Sequence, residues 1–258
     1  MYHRFKWTAA SHRRNGISQE YEPLQPYFLL ALMQAAGCKS FVDVGANIGA
    51  YSVLMSQQAK QLIAFEANPA AADEMAENLA LNGLEAQLRR VAVSDHCGTL
   101  QFGTVSRLAG NSAVVETADN QSFVETDEVE CVTLDSALSE IEQPIALKID
   151  VEGHEAEVLK GAVKTMSRPC VLQVESLSGE IEIDGLRRLT AIGPDHYFTN
   201  VSGIEPLVIF EEACRLLIAA NHETKSAALK MGSLSLVVSG KPYHVLRNLV
   251  MKRMGKRL

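Results

Sequence analysis

The stretch FVDVGANIG at 41–49, an apolar segment running into a loop bracketed by Gly45 and Gly49, restricts what this chain can fold into more than any other feature. Phe41 to Val44 read as a short strand stopped by glycine, and a helix is expected from about 48 to 58. Glycine at such a junction lets the loop approach a ligand closely, and the helix start that follows presents free backbone N–H groups. The rhythm then repeats. LIAFEA at 62–67 is a second apolar strand, and Asn68 followed by Pro69 marks a helix start, a capping residue and then proline in the first turn. That helix should carry Ala72, Met75, Ala76 and Leu79 on one face and close at Asn82-Gly83.

A third strand is expected at RRVAVSD, 89–95, and the segment from 98 to 133 alternates short β-like pieces with polar turns, an insertion carrying a hairpin. It ends in CVTLDSAL, a strand entering a short helix. IALKID at 145–150, a helix over about 154–166 and CVLQVES at 170–176 supply another strand, helix and strand, with further pieces near 184–192, 205–218 and 233–239. Ahead of the first strand, a helix is expected over about 24–36, ended by Gly37. Strands alternating with amphipathic helices predict an α/β fold, a doubly wound, mostly parallel sheet with helices on both faces. With 47% hydrophobic residues, the 258 positions suffice for one domain: a helical extension over 1–40, the sheet over 41–240, and a basic helix or tail over 241–258.

Charge narrows the partners. The net charge is −7, but Arg4, Lys6, Arg13 and Arg14 open the chain and six lysines and arginines lie in the last 18 positions, so the middle is acidic. A nucleic-acid enzyme would carry a broad basic field with interleaved aromatics, and aromatics are only 6% here, so nucleic acid is not expected as a partner. The basic segment from Lys241 to Leu258 reads either as a solvated tail or as a peripheral contact with an acidic partner or anionic lipid. No apolar run reaches the roughly 18 residues of a membrane span. Five cysteines, Cys38, Cys97, Cys131, Cys170 and Cys214, are scattered without CxxC spacing, which predicts reduced thiols in a cytoplasmic protein.

In open α/β sheets, ligands sit beyond the carboxyl ends of the strands, so polar residues there are the candidates for chemistry. GANIG departs from the GxGxxG of dinucleotide sites, which weighs against a nicotinamide or flavin enzyme. Glu66 ends the second strand 17 residues after Gly49, where a carboxylate can accept from both ribose hydroxyls of an adenosine. Asp95, ending the third strand, could reach an adenine amino group or simply form a turn. Lys148 lies inside a strand that should be buried and therefore needs a partner, with Asp43 and Glu175 as candidates. Asp150 ends that strand on the same face and is the first candidate for positioning a substrate. His154 opens the next helix as a candidate general base or as an exposed helix-start histidine. Asp150, His154 and Glu175 carry ligand atoms a divalent cation would accept, but their spacing establishes no metal site. Tyr21-Glu22-Pro23 and Asn111-Ser112 are further candidates for the acceptor side or ordinary turns.

Over roughly 20–176 the motifs FVDVGANIGAYS, IAFEANP, the VAVSD strand, TLDSAL and, most specifically, KIDVEGHEAEVLKGA resemble the FkbM family of class I S-adenosylmethionine-dependent methyltransferases. The resemblance implies a seven-stranded Rossmann-like sheet completed by an antiparallel hairpin. It implies S-adenosylmethionine contacts through Asp43, Gly45, Asn47, Gly49 and Glu66, with Ser94 and Asp95 near the adenine, and Ala46, Ala67, Asn68 and Asp150 complete the expected cofactor set. It further implies methyl transfer to a hydroxyl oxygen of a sugar, a glycan or a polyketide-like product, leaving S-adenosylhomocysteine. The catalytic set drawn from local chemistry is Asp150, His154, Lys148 and Glu175. A non-catalytic binding module on the same fold stays open as the alternative of another class.

Overall fold

A computed structural model describes residues 24–104, 112–115, 125–176, 181–220, 227–231 and 234–238. The segments 1–23 and 239–258, with the basic ends and Tyr21-Glu22-Pro23, lie outside the described residues, as does Asn111.

The chain opens with α1 (Gln25–Ala35), ended by Gly37 at φ +71°, and proceeds through β1 (Ser40–Val44), α2 (Ala50–Met55), β2 (Gln61–Phe65) and α3 (Pro69–Leu81). Asn68 caps α3 as its sequence promised, its side chain accepting from the amides of Ala70 and Ala71. The buried face of α3 differs slightly from expectation. Ala76 is exposed, and Asn78 takes the inward position because its Nδ2 donates to the Ile48 carbonyl at 2.9 Å, tying the helix to the glycine loop.

The expected third strand is split. β3 (Gln87–Arg89) joins the main sheet, whereas β4 (Ala92–Val93) leaves it for a second sheet that also holds β5 (Gly98–Thr104), β6 (Ser112–Val114) and β7 (Glu125–Val132), in the order β4-β7-β5-β6. The insertion is thus more than a hairpin. The short helix α4 (Leu134–Ala137) follows, capped by Thr133, and then β8 (Ile145–Ile149). The single helix expected over 154–166 is two, α5 (Glu155–Lys160) and α6 (Val163–Met166). The break falls at Gly161, where a Cβ would lie 2.1 Å from the Ser94 carbonyl oxygen, so only glycine lets this turn pack there. β9 (Cys170–Glu175), β10 (Arg187–Ile192), β11 (Asp195–Thr199) and α7 (Pro206–Ala220) complete the body. The piece expected at 233–239 forms β13 (Leu234–Val238), but it pairs with β12 (Ala227–Met231) as a separate hairpin instead of joining the main sheet.

The main sheet has seven strands in the order β10-β11-β9-β8-β1-β2-β3. Five are parallel, and β11 and β10 run antiparallel as the closing hairpin. The two-residue period sorts the strand side chains into two cores. Phe41, Leu62, Ala146, Val171 and Tyr197 pack with α1, α2, α3 and α7, while Val42, Ile63, Leu147, Leu172 and Phe198 pack with α4, α5 and α6. β1 and β8 are buried at every position, as expected where helices cover both faces. This is the doubly wound, Rossmann-like arrangement, and strand order reverses between β1 and β8, which puts the carboxyl ends of β1, β2 and β8 around one crevice.

Candidate functional site

That crevice opens into a cavity. Its polar wall is built from Gly45, Asn47, Glu66, Ala67, Asn68, Asp150, Glu152 and His154, its apolar wall from residues that include Phe65, Val91, Val93, Phe102 and Val114.

Gly45 shapes the near edge. At φ +74° its missing Cβ would sit 1.8 Å from the Asp150 carbonyl oxygen, so the loop after β1 lies directly against the end of β8. Both Gly45 and Ala46 donate their amides to the Phe65 carbonyl at 3.0 Å. The chain then turns through Asn47 at φ +51° and Gly49 at φ +86°. A left-handed conformation outside glycine carries strain, which asparagine tolerates best.

The turn at Asn47 aims its amide at Glu66. The Asn47 N–H donates to Oε2 at 2.7 Å and the Asn68 N–H to Oε1 at 2.8 Å, so each carboxylate oxygen is oriented by one backbone donor. A carboxylate has about four acceptor positions, and these two bonds leave the remainder for hydroxyl donors in the cavity. Burial pushes the Glu66 carboxyl up, opposed by the amides of Asn68 and Asn47 and the charge of Lys148.

Across the cavity, the loop after β8 is held by Glu155, whose Oε1 accepts from the amides of Val151 at 3.0 Å and Gly153 at 3.2 Å. This cap sustains Glu152 at φ +56° on the cavity wall. Positive φ at Asn47 and Glu152, one on each side of the same cavity, is the clustering of strain expected of a working site.

Of the two partners expected for Lys148, Asp43 feels its charge, but the hydrogen bond goes to a third residue. Lys148 Nζ donates to Asp150 Oδ2 at 2.8 Å and lies 4.8 Å from the centre of the Tyr51 ring. Asp43 stands beside it in register, fully buried, with Oδ2 accepting from Ser52 Oγ at 2.6 Å and no hydrogen bond to Oδ1. Burial pushes the Asp43 carboxyl up against the pull of Lys148. Glu175 stands beside Asp150, one residue past the Ile149–Val174 pair of β8 and β9, and each carboxyl shifts the proton affinity of the other. The reason Lys148 bonds to Asp150 is reach: the side chain of Lys148 runs along its own strand toward the carboxyl end, where Asp150 waits two residues on.

His154 is buried, 3% exposed, with Nε2 at 3.0 Å from Ser94 Oγ and Nδ1 at 3.8 Å from Glu157. It lines the cavity on the side of β4. Ser94 and Asp95 do not line it; Asp95 turns to His96 Nδ1 at 2.7 Å, a contact that holds its carboxyl below the usual range. Asp43, Ala46, Gly49, Lys148 and Glu175 likewise do not line the cavity. Among the described residues no group of three or more His, Cys, Asp or Glu side chains is arranged to hold a metal ion, and no helix is long and apolar enough to cross a membrane.

Sequence reasoning missed Tyr51, Gln173 and Asp195. Gln173 Nε2 donates to the Tyr51 hydroxyl at 2.8 Å and to Asp195 Oδ1 at 2.7 Å, tying α2, β9 and β11 together behind Asp150. A signal for Gln173 was present: a polar residue in the apolar strand CVLQVE calls for a partner by the same logic that singled out Lys148.

Residues 43–213 match the model of the methyltransferase FkbM domain. The methyltransferase sdnD of Sordaria araneosa is 35% identical over 153 residues, 46% of this chain and 59% of that protein, so the chain spans about three fifths of this relative's length. The hexuronic acid methyltransferase AglP of Haloferax volcanii is 29% identical over 175 residues, 65% of this chain and 68% of that one. Among solved structures, the O-methyltransferase of Bacillus cereus in complex with SAH is 16% identical with a TM-score of 0.41, over 85% of this chain and 77% of that one.

Proposed function

The chain belongs to the FkbM methyltransferase family, and from that membership we propose that it transfers a methyl group from S-adenosylmethionine to a hydroxyl oxygen of a sugar, glycan or polysaccharide precursor. The observation that carries the reading is Glu66, a carboxylate at the end of β2 oriented by two backbone amides with acceptor positions left toward the cavity. The other residues present suit the same molecule. Phe65, Val91, Val93, Phe102 and Val114 offer an apolar wall to a flat base, and Asp150 and Glu152 offer negative charge to a cationic sulfonium and ammonium.

When bound, S-adenosylmethionine supplies an already activated methyl group, so the chain's own residues have chiefly to hold the acceptor oxygen in line with it. Asp150 is the residue for that. Its side chain is 25% exposed on the cavity wall and fixed from behind by Lys148. Burial pushes its carboxyl up, but the ammonium of Lys148 and the hydrogen bonds from Glu175 and Lys148 outweigh that and hold it below the usual range. An anion of this kind is a weak base, and its main contribution is to accept the hydroxyl's hydrogen bond, stabilise positive charge on the oxygen as the methyl arrives, and take the proton from the strongly acidic oxonium for release to solvent. His154, turned to Ser94, forms part of the nucleoside wall in this reading.

A sugar acceptor is favoured by the likeness to AglP, a hexuronic acid methyltransferase. Titration calorimetry with S-adenosylmethionine and S-adenosylhomocysteine tests the donor: micromolar binding is expected, and absence of heat with both would sink the reading. Labelled-methyl transfer across a panel of uronic acid glycosides, neutral glycosides and polyketide hydroxyls tests the acceptor. Labelling confined to the polyketides would refute the sugar.

A further inference from the structure

On the face of the sheet covered by α1, α2 and α7, the carboxyl-end positions carry a polar band, buried at Asp43, Lys148, Gln173 and Asp195 and half-buried at Asp150 and Glu175. Asp43 pairs in register with Lys148, Lys148 with Gln173, and Glu175 with Asp195. Asp150 stands at the end of β8 in contact with both Lys148 and Glu175. Within this band, among the described residues, the ammonium of Lys148 is bonded to Asp150 and acts on Asp43, while the carboxyl-bearing Glu175 and Asp195 pair with each other in register.

Asp150 and Glu175 stand side by side, one residue past the Ile149–Val174 pair of β8 and β9, and two carboxyl groups so placed form a hydrogen bond only if one of them holds a proton. Their surroundings decide which. Asp150 accepts from Lys148 Nζ at 2.8 Å, which favours its charged form. The charged groups that act most strongly on Glu175 are acids: Asp150 at the end of β8, Asp195 on β11 and Glu152 in the loop after β8.

We propose that Glu175 stands as a neutral carboxylic acid and acts as a positioning residue: it donates its proton in a hydrogen bond to Asp150 while Lys148 holds Oδ2, and the two donors fix the Asp150 carboxylate toward the cavity. Burial first, then the charge of Asp150, pushes the Glu175 carboxyl from 4.5 up to about 9. Above that pH a second anion replaces the donor, and Asp150 loses its orientation. The effect on turnover rests on the proposed role of Asp150 in methyl transfer, whereas the proton on Glu175 does not.

The test uses the full chain labelled with ¹³C at the glutamate side-chain carboxyl and titrated by NMR. One resonance is expected to keep the carboxylic-acid position up to about pH 9 and to be missing from Glu175→Gln. All glutamate signals reaching the carboxylate position by about pH 6 would overturn the proposal. In methyl transfer, Glu175→Ala should lose about tenfold or more in kcat with donor affinity retained. Glu175→Gln, which keeps a donor, should recover most of that loss and lack the fall in rate that the parent chain shows above about pH 9. The same alkaline fall in Glu175→Gln, or no recovery over Glu175→Ala, would overturn the positioning role. Failure of the parent chain to methylate anything would instead count against the proposed function, with the NMR titration still deciding where the proton lies.

Discussion

Gly45→Ala puts the architecture of the crevice to a quantitative test. Alanine at φ +74° carries a left-handed penalty of about 1–2 kcal/mol. Its Cβ would also lie 1.8 Å from the Asp150 carbonyl oxygen and 2.9 Å from the carbonyl carbon, so the end of β8 must retreat by roughly an ångström or more. That retreat strains the bond from the Asp150 amide to the Val44 carbonyl, 3.1 Å long, and losing it adds about 0.5–1.5 kcal/mol. Together these amount to about 1.5–3.5 kcal/mol, or a fall in Tm of about 3–14 °C for a domain of this size. Gly37→Ala is the control, since Gly37 has φ +71° and an added methyl there would meet nothing within 4 Å, so it should show the conformational penalty alone. The assay is urea and thermal unfolding by circular dichroism for both variants, with calorimetric titration of S-adenosylhomocysteine. Gly45→Ala should be the less stable and alone should weaken binding. Equal stability losses with binding intact in both would refute the claim that close approach to Asp150 is what demands glycine at 45.

Glu66→Gln removes the charge and one of the two backbone bonds, and donor affinity measured by calorimetry should fall about 10- to 100-fold, from the roughly 1.5–3 kcal/mol of charged hydrogen bonds. Asn68→Ala deletes the cap on Ala70 and Ala71 and should cost about 1 kcal/mol in urea unfolding. Asp150→Asn should lower kcat while donor affinity survives, and His154→Ala should weaken donor binding through the loss of the contact with Ser94; the reverse pattern in steady-state kinetics and calorimetry would reassign the base to His154. Glu175 titrates at 4.5 unfolded and about 9 folded, so between those values the folded chain holds a proton that the unfolded chain has released. Its contribution to stability therefore falls as pH rises through that window, and unfolding free energies measured across it should decline less steeply in Glu175→Gln.

What the sequence made legible were features set by local chemistry. The glycine loop, the Asn68-Pro69 helix start and the strand-end Glu66 each depend on residues within a few positions of one another, and each stands where its pattern puts it. Contacts between distant segments were harder to read. Partners of Lys148 were sought on neighbouring strands, where Asp43 does feel its charge, but its hydrogen bond goes to Asp150 on its own strand. β11, with the sequence DHYFT, was not anticipated because its burial is continuous while its composition looks polar; Asp195, His196 and Thr199 are inside because Gln173, Arg188 and the Cys170 carbonyl receive them. The break in RRVAVSD left no local mark either, since Val91 to Val93 are apolar whichever sheet they enter.

That break gives the molecule a seam. After β3 the chain departs from the main sheet, and everything from Ala92 to Val132 hydrogen-bonds as strands only within the second sheet, among the described residues. Phe102 and Val114 nevertheless face the cavity. One wall of the crevice is therefore an exchangeable panel: the segment between Arg90 and Thr133 could be replaced by one of another length or polarity without interrupting a ladder of the seven-stranded sheet. A transplant of this kind would leave the Gly45 and Glu66 edge in place while redrawing what else fits beside it.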